Sequence, residues 1–235
     1  MTDKPFTYCS GCTHGVVHRI IAEVIDELKI REQVVGVCPV GCAVFMYEFM
    51  NCDMIEASHG RAPAVATGLK RVRPETIIFT YQGDGDLAAI GTAEIVHAAA
   101  RGENITVVFI NNGTYGMTGG QMAPTTLLGQ KSTTCRTGRS AAVEGNPIRV
   151  CEMLATLDGP AYIERVAPTS PAGLVKTKNA IAKGFQNQLD CKGFSLIEVL
   201  STCPTRWHIS PIESLKWVDE DMARHYPLGK FVDRD

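Results

Sequence analysis

The sequence predicts an α/β fold, a doubly wound and mostly parallel sheet, and three observations carry that reading. Apolar, β-rich runs alternate with stretches whose apolar residues recur at helical spacing. The runs TIIFTY and ITVVFI are hydrophobic almost throughout, as strands buried on both faces are. Each run is followed by a helical stretch or a long connection, which parallel pairing requires.

The elements follow in order. A first helix is predicted over residues 14–28, where Val17, Ile20, Ile21, Val24, Ile25 and Leu28 form one apolar stripe. A strand at 34–38, a weaker one near 54–57, a helix at 61–70 and a strand at 77–82 come next. Beyond them lie a helix at 87–100, a strand at 105–110, a helix at 148–157, a strand at 162–166, a helix at 171–189 and a strand at 194–200. Past Thr202, prolines 204, 211 and 227 predict a loop-rich wrap over about 201–235 with a short helix near 212–223. No repeat, low-complexity tract or Gly/Ser linker divides the chain, so residues 1–235 are expected to form one domain, with an N-terminal cysteine loop and that C-terminal wrap.

Composition excludes several classes. With 45% apolar and 20% charged residues over 235 positions, disorder and fibrous repeats are ruled out. Lys and Arg number 23 against 25 acidic residues, so nothing in the charge balance favours nucleic acid. No stretch reaches the roughly 18 to 20 uninterrupted apolar residues of a membrane span, and MTDKPFTYCSGC lacks the apolar core of a signal peptide. A cytoplasmic location, away from membranes, is expected. There the nine cysteines are candidates for buried thiols or for metal or cluster ligands, not for a disulfide framework.

In an open parallel sheet, ligands bind beyond the carboxyl ends of the strands. The residues at those ends read Pro39-Val40-Gly41-Cys42, Gly83-Asp84-Gly85-Asp86, Asn111-Asn112-Gly113-Thr114 and Ser201-Thr202-Cys203-Pro204. Gly83 and Gly85 let backbone approach a phosphate, and a helix starting near Leu87 aims its first amides at anionic oxygens. Asp84, the Asn112 amide oxygen and a carbonyl near Thr114 form a donor set suited to Mg2+, which prefers octahedral oxygen coordination. A lone Gly-Asp-Gly is more often a turn; its pairing with Asn-Asn one βαβ step later is what resembles the thiamine diphosphate fingerprint. A dinucleotide fold would need Gly-x-Gly-x-x-Gly opening a helix, which this chain lacks.

Cys9-Ser10-Gly11-Cys12 is by itself ambiguous between a redox pair, half a zinc site and part of an iron–sulfur cluster. Cys42 and Cys203 stand at strand ends on the same rim, so the four thiols can converge beside the diphosphate motif. A 4Fe-4S cluster there has a task, taking electrons singly, where a structural zinc has none. His59, followed by Gly60 and Arg61 after the weak strand, reads as a ring near diphosphate or substrate. The other histidines receive no role. Cys38, Cys52, Cys135, Cys151 and Cys191 read as small buried or partly buried hydrophobes, with Cys38, four residues before Cys42, the substitute ligand if the assignment slips.

Taken together, YCSGCTHG at 8–15, PVGC at 39–42, HGRAPAVATGLK at 59–70, YQGDGDLAAIGTAE at 81–94, INNGTYGMTGGQMAPTT at 110–126 and STCPT at 201–205 resemble a known family. It is the β subunit of the 2-oxoacid:ferredoxin oxidoreductases, in the 2-oxoglutarate and branched-chain branch. The resemblance covers nearly the whole chain and implies the diphosphate-binding half of a thiamine diphosphate fold. It implies a 4Fe-4S cluster on Cys9, Cys12, Cys42 and Cys203, and Mg2+ on Asp84, Asn112 and the Thr114 carbonyl. Coenzyme contacts are implied for Gly41, Cys42, His59, Gly60, Gly83, Asp84, Gly85, Asp86, Leu87, Asn112, Thr114, Tyr115, Gly116, Met117 and Thr118. Among these, His59, Met117 and Thr118 are the residues expected at the reacting groups. Met117 stands where pyruvate-specific relatives usually carry asparagine, which disfavours pyruvate.

The activity so implied is oxidative decarboxylation of a 2-oxoacid to acyl-CoA and CO2, with coenzyme A as co-substrate and electrons leaving to ferredoxin. The carboxylate that activates the coenzyme's pyrimidine ring is expected from an α subunit, with γ and ferredoxin-like δ subunits as further partners. Two other classes remain open at this point. A non-oxidative thiamine diphosphate decarboxylase or synthase would carry no cluster, and a cluster- or zinc-binding structural subunit would carry no coenzyme.

Overall fold

The computed structural model describes residues 1–234. In chain order the elements are α1 (His14–Leu28), β1 (Val34–Pro39), α2 (Met46–Phe49), β2 (Asp53–Ala57), α3 (Ala62–Val72), β3 (Ile77–Gly83), α4 (Thr92–Ala100) and β4 (Thr106–Asn111). A small hairpin of β5 (Thr114–Tyr115) and β6 (Gln121–Met122) leads through a long connection to α5 (Val150–Leu154), β7 (Pro160–Val166), α6 (Pro171–Leu189) and β8 (Phe194–Leu200). The chain ends with α7 (Pro204–Trp207), α8 (Pro211–Trp217), α9 (Ala223–His225) and β9 (Gly229–Asp233).

Seven strands form one sheet in the order β2-β1-β3-β4-β8-β7-β9. Every pairing is parallel except that of β7 with β9. Because side chains alternate across a strand, the central strands feed two apolar layers. Phe79, Tyr81, Val108 and Ile110 face α1 and α6, packing with Ile21, Val24, Ile181 and Phe185. Ile78, Val107 and Phe109 face the other way, into a layer with Ala66 of α3, Ile95 and Ala98 of α4 and Leu154 of α5. The doubly wound parallel sheet expected from continuous apolar strands is the one observed. Local signals set the long helix α6: Pro171 opens it and the Ser170 hydroxyl accepts from the Gly173 amide.

The carboxyl terminus is more regular than the predicted wrap. Three short helices and a wide helical turn at Val218–Met222 pack a satellite core of Val218, Met222 and Tyr226 against Leu127, Ala167 and Leu200. The last segment then joins the main sheet as the antiparallel edge strand β9. Only Val232 of β9 is buried, so an apolar run long enough to announce a strand is missing. The helix expected at 87–100 is also split. Its first turn, Asp86–Ile90, is wide, with the Gly91 amide donating to the Asp86 carbonyl at 2.8 Å, and regular α-helix starts only at Thr92. Among the described residues no helix is long and apolar enough to cross a membrane.

Candidate functional site

The carboxyl ends of β1, β3 and β4 open onto a cavity of about 100 Å3. Asp84, immediately after β3, is 2% exposed and lies at its floor. One carboxylate oxygen accepts from the Gly85 amide at 2.7 Å, the other from the Thr125 hydroxyl at 2.7 Å and the Thr114 amide at 3.2 Å. The Thr114 amide also donates to the Asn112 side-chain oxygen at 3.2 Å, so Asp84, Asn112 and Thr114 meet at one point. Burial pushes the Asp84 carboxyl up to about 6 in spite of these donors. No cationic side chain reaches it in the recorded ion pairs or hydrogen bonds among the described residues. A buried anion with that oxygen-rich surrounding is a fit for a hard divalent cation.

Two close backbone approaches shape the wall beside Asp84. Gly60 has φ +76°, and a Cβ there would stand 2.6 Å from the Gly91 amide, so the loop after β2 lies directly on the turn that precedes α4. That contact joins His59 to Asp86. One Asp86 oxygen accepts from His59 Nδ1 and from the Gly60 amide, each at 2.5 Å, and the other from the Gln82 side chain at 2.7 Å. Asp86 is thereby occupied as a holder of His59, whose ring lines the cavity. At Gly85 a Cβ would fall 2.1 Å from the Tyr115 ring, so only glycine lets that ring lie over the turn after β3.

The cysteine loop sits on the same rim. Thr202 donates from its amide to the Thr13 hydroxyl at 3.2 Å and from its hydroxyl to the Gly11 carbonyl at 2.6 Å, while the Thr13 and Ser201 hydroxyls pair at 2.5 Å. These bonds fasten the Cys9–Cys12 turn to the end of β8, next to Cys203. A Cβ on Gly116 would touch Cys42 Sγ at 3.4 Å, Cys203 Sγ at 3.6 Å and the Asn112 amide at 3.9 Å, which sets both sulfurs beside the Asn112 loop. Burial pushes the Cys203 thiol up to about 12, helped by the neighbouring thiols of Cys12 and Cys42 and by Asp84. Cys12 rises to about 12 by burial, with Cys42 and Cys9 adding to it. Cys42 and Cys203 are thus neighbours, and the Cys9–Cys12 turn is fastened to the same end of the rim. Among the described residues no three His, Cys, Asp or Glu side chains converge closely enough to ligate a single ion. A cluster of four irons, being larger than an ion, holds its cysteines further apart, so the thiol set fits that guest better than zinc.

Most of the predicted site residues line this one cavity: Gly41, Cys42, His59, Gly83, Asp84, Gly85, Asp86, Asn112, Thr114, Tyr115, Gly116, Met117 and Thr118. Two do not. Gly60 is spent on Asp86 through its amide, and Leu87 is sealed in the core layer behind the turn, because the wide helical turn points it inward. Cys38 lies on β1 inside the core layer with α1, its thiol 3.8 Å from the Ile55 carbonyl, and is not part of the cavity lining. The plain reading of the remaining cysteines needs one correction: Cys191 is exposed, on a left-handed turn of φ 57° just past α6. Cys151 is buried in the core as expected and also donates to the Glu198 carboxylate at 2.9 Å.

Sequence reasoning passed over several residues that hold the site. Thr125 lies within the quoted 110–126 motif, yet only the fold brings its hydroxyl to Asp84. Arg139, 6% exposed, donates to the carbonyls of Pro124, Thr126 and Asn146 and so braces the segment that carries Thr125. Asn111 ties the loop that carries Asn112 to Glu198 of β8, donating at 2.7 Å while its oxygen accepts from the Gly113 amide at 3.2 Å. From α7, Arg206 donates to the Gly116 carbonyl at 2.9 Å and the Trp207 indole to the Asn112 carbonyl at 3.2 Å. His14, given no role from sequence, lines the cavity.

The fold and this rim define a thiamine diphosphate-binding domain of the thiamine enzymes. Residues 39–199 match the family model described as the thiamine pyrophosphate enzyme C-terminal TPP binding domain. The ketoisovalerate oxidoreductase subunit VorA of Methanothermobacter thermautotrophicus is 46% identical over 97% of this chain and 48% of its own length. The 2-oxoglutarate synthase subunit KorB of Methanocaldococcus jannaschii is 40% identical over 97% of this chain and 86% of its own. A solved 2-oxoglutarate:ferredoxin oxidoreductase from Magnetococcus marinus, with 2-oxoglutarate, coenzyme A and succinyl-CoA bound, superposes with a TM-score of 0.82 at 26% identity. That superposition covers 100% of this chain and 83% of the other. The chain belongs to the thiamine diphosphate-binding subunits of the 2-oxoacid:ferredoxin oxidoreductases. It spans about half the length of its VorA relatives.

Proposed function

We propose that this chain is the coenzyme- and cluster-bearing part of a cytoplasmic, CoA-dependent 2-oxoacid:ferredoxin oxidoreductase, acting on a 2-oxoglutarate or branched-chain 2-oxoacid and passing electrons to ferredoxin. The observation that carries the reading is the juxtaposition at one rim of the Asp84, Asn112 and Thr114 set with the Cys42 and Cys203 sulfurs around Gly116. When bound, thiamine diphosphate supplies an electron sink for decarboxylation, and a 4Fe-4S cluster accepts electrons one at a time.

The chain's own residues divide the remaining work. Asp84, the Asn112 amide oxygen and the Thr114 carbonyl hold Mg2+, and Gly83 and Gly85 let backbone reach the diphosphate. His59, anchored through Nδ1 by Asp86, presents its other nitrogen to the cavity. Cys9, Cys12, Cys42 and Cys203 hold the cluster, Cys9 from the exposed side and the other three half-buried. Met117, 38% exposed at the cavity mouth, and Thr118 border the space for the acyl group. The VorA relatives, ketoisovalerate oxidoreductase subunits at 46% and 47% identity, favour the branched-chain substrate.

The cavity is far smaller than the roughly 300 to 1,000 Å3 of a complete ligand pocket. Exposed Val40 lines it, an apolar side chain awaiting cover. An α subunit that supplies the pyrimidine-side carboxylate completes the site in this reading, with γ and δ subunits and ferredoxin beyond it. The test is purification of the assembled complex, assay of CoA-dependent viologen reduction with 3-methyl-2-oxobutanoate and 2-oxoglutarate, and measurement of iron and acid-labile sulfide. Cys42→Ser is expected to lose iron and electron transfer, whereas Cys38→Ala keeps both. Turnover without iron would instead favour a non-oxidative decarboxylase or synthase.

A further inference from the structure

Beneath the cysteine loop lies a buried group of rings that the proposed chemistry leaves unused. His14, the first residue of α1, stacks on Tyr8 with ring centroids 4.9 Å apart and planes 14° from parallel. Its Nδ1 is 2.7 Å from the hydroxyl of Tyr81 on β3. Tyr81 is wholly buried and its hydroxyl has no other hydrogen-bond partner, so the phenol proton is satisfied only by donating to His14 Nδ1. With Nδ1 accepting, the imidazole carries its proton on Nε2. Among the described residues that nitrogen makes no hydrogen bond, and it is absent from the polar atoms sealed off from solvent without a partner, unlike both ring nitrogens of neighbouring His18. Since His14 is otherwise buried yet lines the cavity with Cys42, Asp84 and Met117, its Nε2–H is the part of the ring that opens there.

We propose that His14 donates a hydrogen bond from Nε2 to a head-group oxygen of the 2-oxoacid, with Tyr81 as the positioning residue that sets its tautomer. The assignment rests on the oxidoreductase reading and adds a substrate contact to it. A fixed donor that shares the cavity lining with the apolar side chains of Val40, Ala43 and Met117 fits a ligand with one polar head and an apolar body. Tyr8 holds the ring from the other side and is itself fixed, its hydroxyl donating to the Cys42 carbonyl at 3.0 Å.

Methionine and glutamine are close in shape and size, and only glutamine offers an N–H. In the assembled complex His14→Met is expected to raise KM for the 2-oxoacid by about tenfold to a hundredfold, the usual range for one lost hydrogen bond to a charged group. His14→Gln should stay within a few-fold of the parent. Tyr81→Phe, which lets the proton move to Nδ1, should fall between them. Thiamine diphosphate affinity by calorimetry and the visible absorption of the cluster should be unchanged in all three, which separates a substrate contact from general damage. Equal KM values for the Met and Gln variants, with coenzyme bound, would overturn the assignment of His14 alone. Failure of the parent complex to bind thiamine diphosphate would overturn the reading beneath it as well.

Discussion

Glu198→Gln tests how the loop that carries Asn112 is held. Glu198 is fully buried on β8 and serves three donors: Asn111 at 2.7 Å on one oxygen, Arg165 Nε at 2.8 Å and the Cys151 thiol at 2.9 Å on the other. Burial opposes the Arg165 charge, yet Glu198 and Glu152 hold the guanidinium protonated beyond its usual range. A glutamine must turn its NH2 toward one side. Facing Arg165, it sets donor against donor in the interior. Facing Asn111, it forces that amide to flip and to give up the Gly113 N–H bond at 3.2 Å that shapes the loop to Asn112. Breaking a buried ion pair by neutralising one partner costs about 3 to 5 kcal/mol. The lower end applies here, because Arg165 keeps the partly exposed Glu152 at 2.5 Å. At roughly 2 to 4 °C per kcal/mol for a chain of this size, the melting temperature should fall by about 6 to 12 °C. Urea unfolding followed by circular dichroism, with calorimetric titration of Mg2+ and thiamine diphosphate, measures both consequences. The double change Arg165→Met with Glu198→Leu should recover much of the stability, since apolar replacement of a buried pair is often neutral. It should not recover coenzyme affinity, because Asn111 still lacks its acceptor. A single variant within about 1 kcal/mol of the parent, with unaltered affinity, would refute the account.

Two further outcomes are expected. Burial raises Asp84 to about 6, so between its unfolded value near 4 and that pH the native chain holds a proton that the unfolded chain releases. Stability of the metal-free protein should therefore fall as pH rises through that window, Mg2+ with thiamine diphosphate should stabilise more at pH 7.5 than at pH 5, and Asp84→Asn should stabilise the metal-free protein at neutral pH while abolishing coenzyme binding. Gly85→Ala places a methyl 2.1 Å from the Tyr115 ring and should weaken coenzyme binding at least tenfold, with partial recovery when Tyr115 is also made alanine; titration of both variants checks it.

Much of this molecule is readable along the chain, because strand burial and helical period are local signals. Continuous apolar runs at β3 and β4 announced a sheet covered on both faces, and parallel topology then carried Asp84, Asn112, Cys42 and Cys203 to a common rim. The candidate ligand residues stood out for the same reason, since glycine, aspartate and cysteine at strand ends are costly choices without a partner. Residues that hold those ligands were not legible. Thr125, Arg139, Asn111, Glu198 and Arg165 act through hydrogen bonds spanning up to 87 positions, and no local periodicity records such a bond. Tertiary structure alone also decided the destiny of β9, a strand made by its edge pairing with β7, and of Leu87, turned inward by one wide helical turn. It likewise decided which nitrogen of His14 faces the cavity, for that depends on a phenol contributed by another strand. Local sequence specifies elements and their ends, whereas the orientation of a polar group is settled by whichever distant partner the closed fold delivers to it.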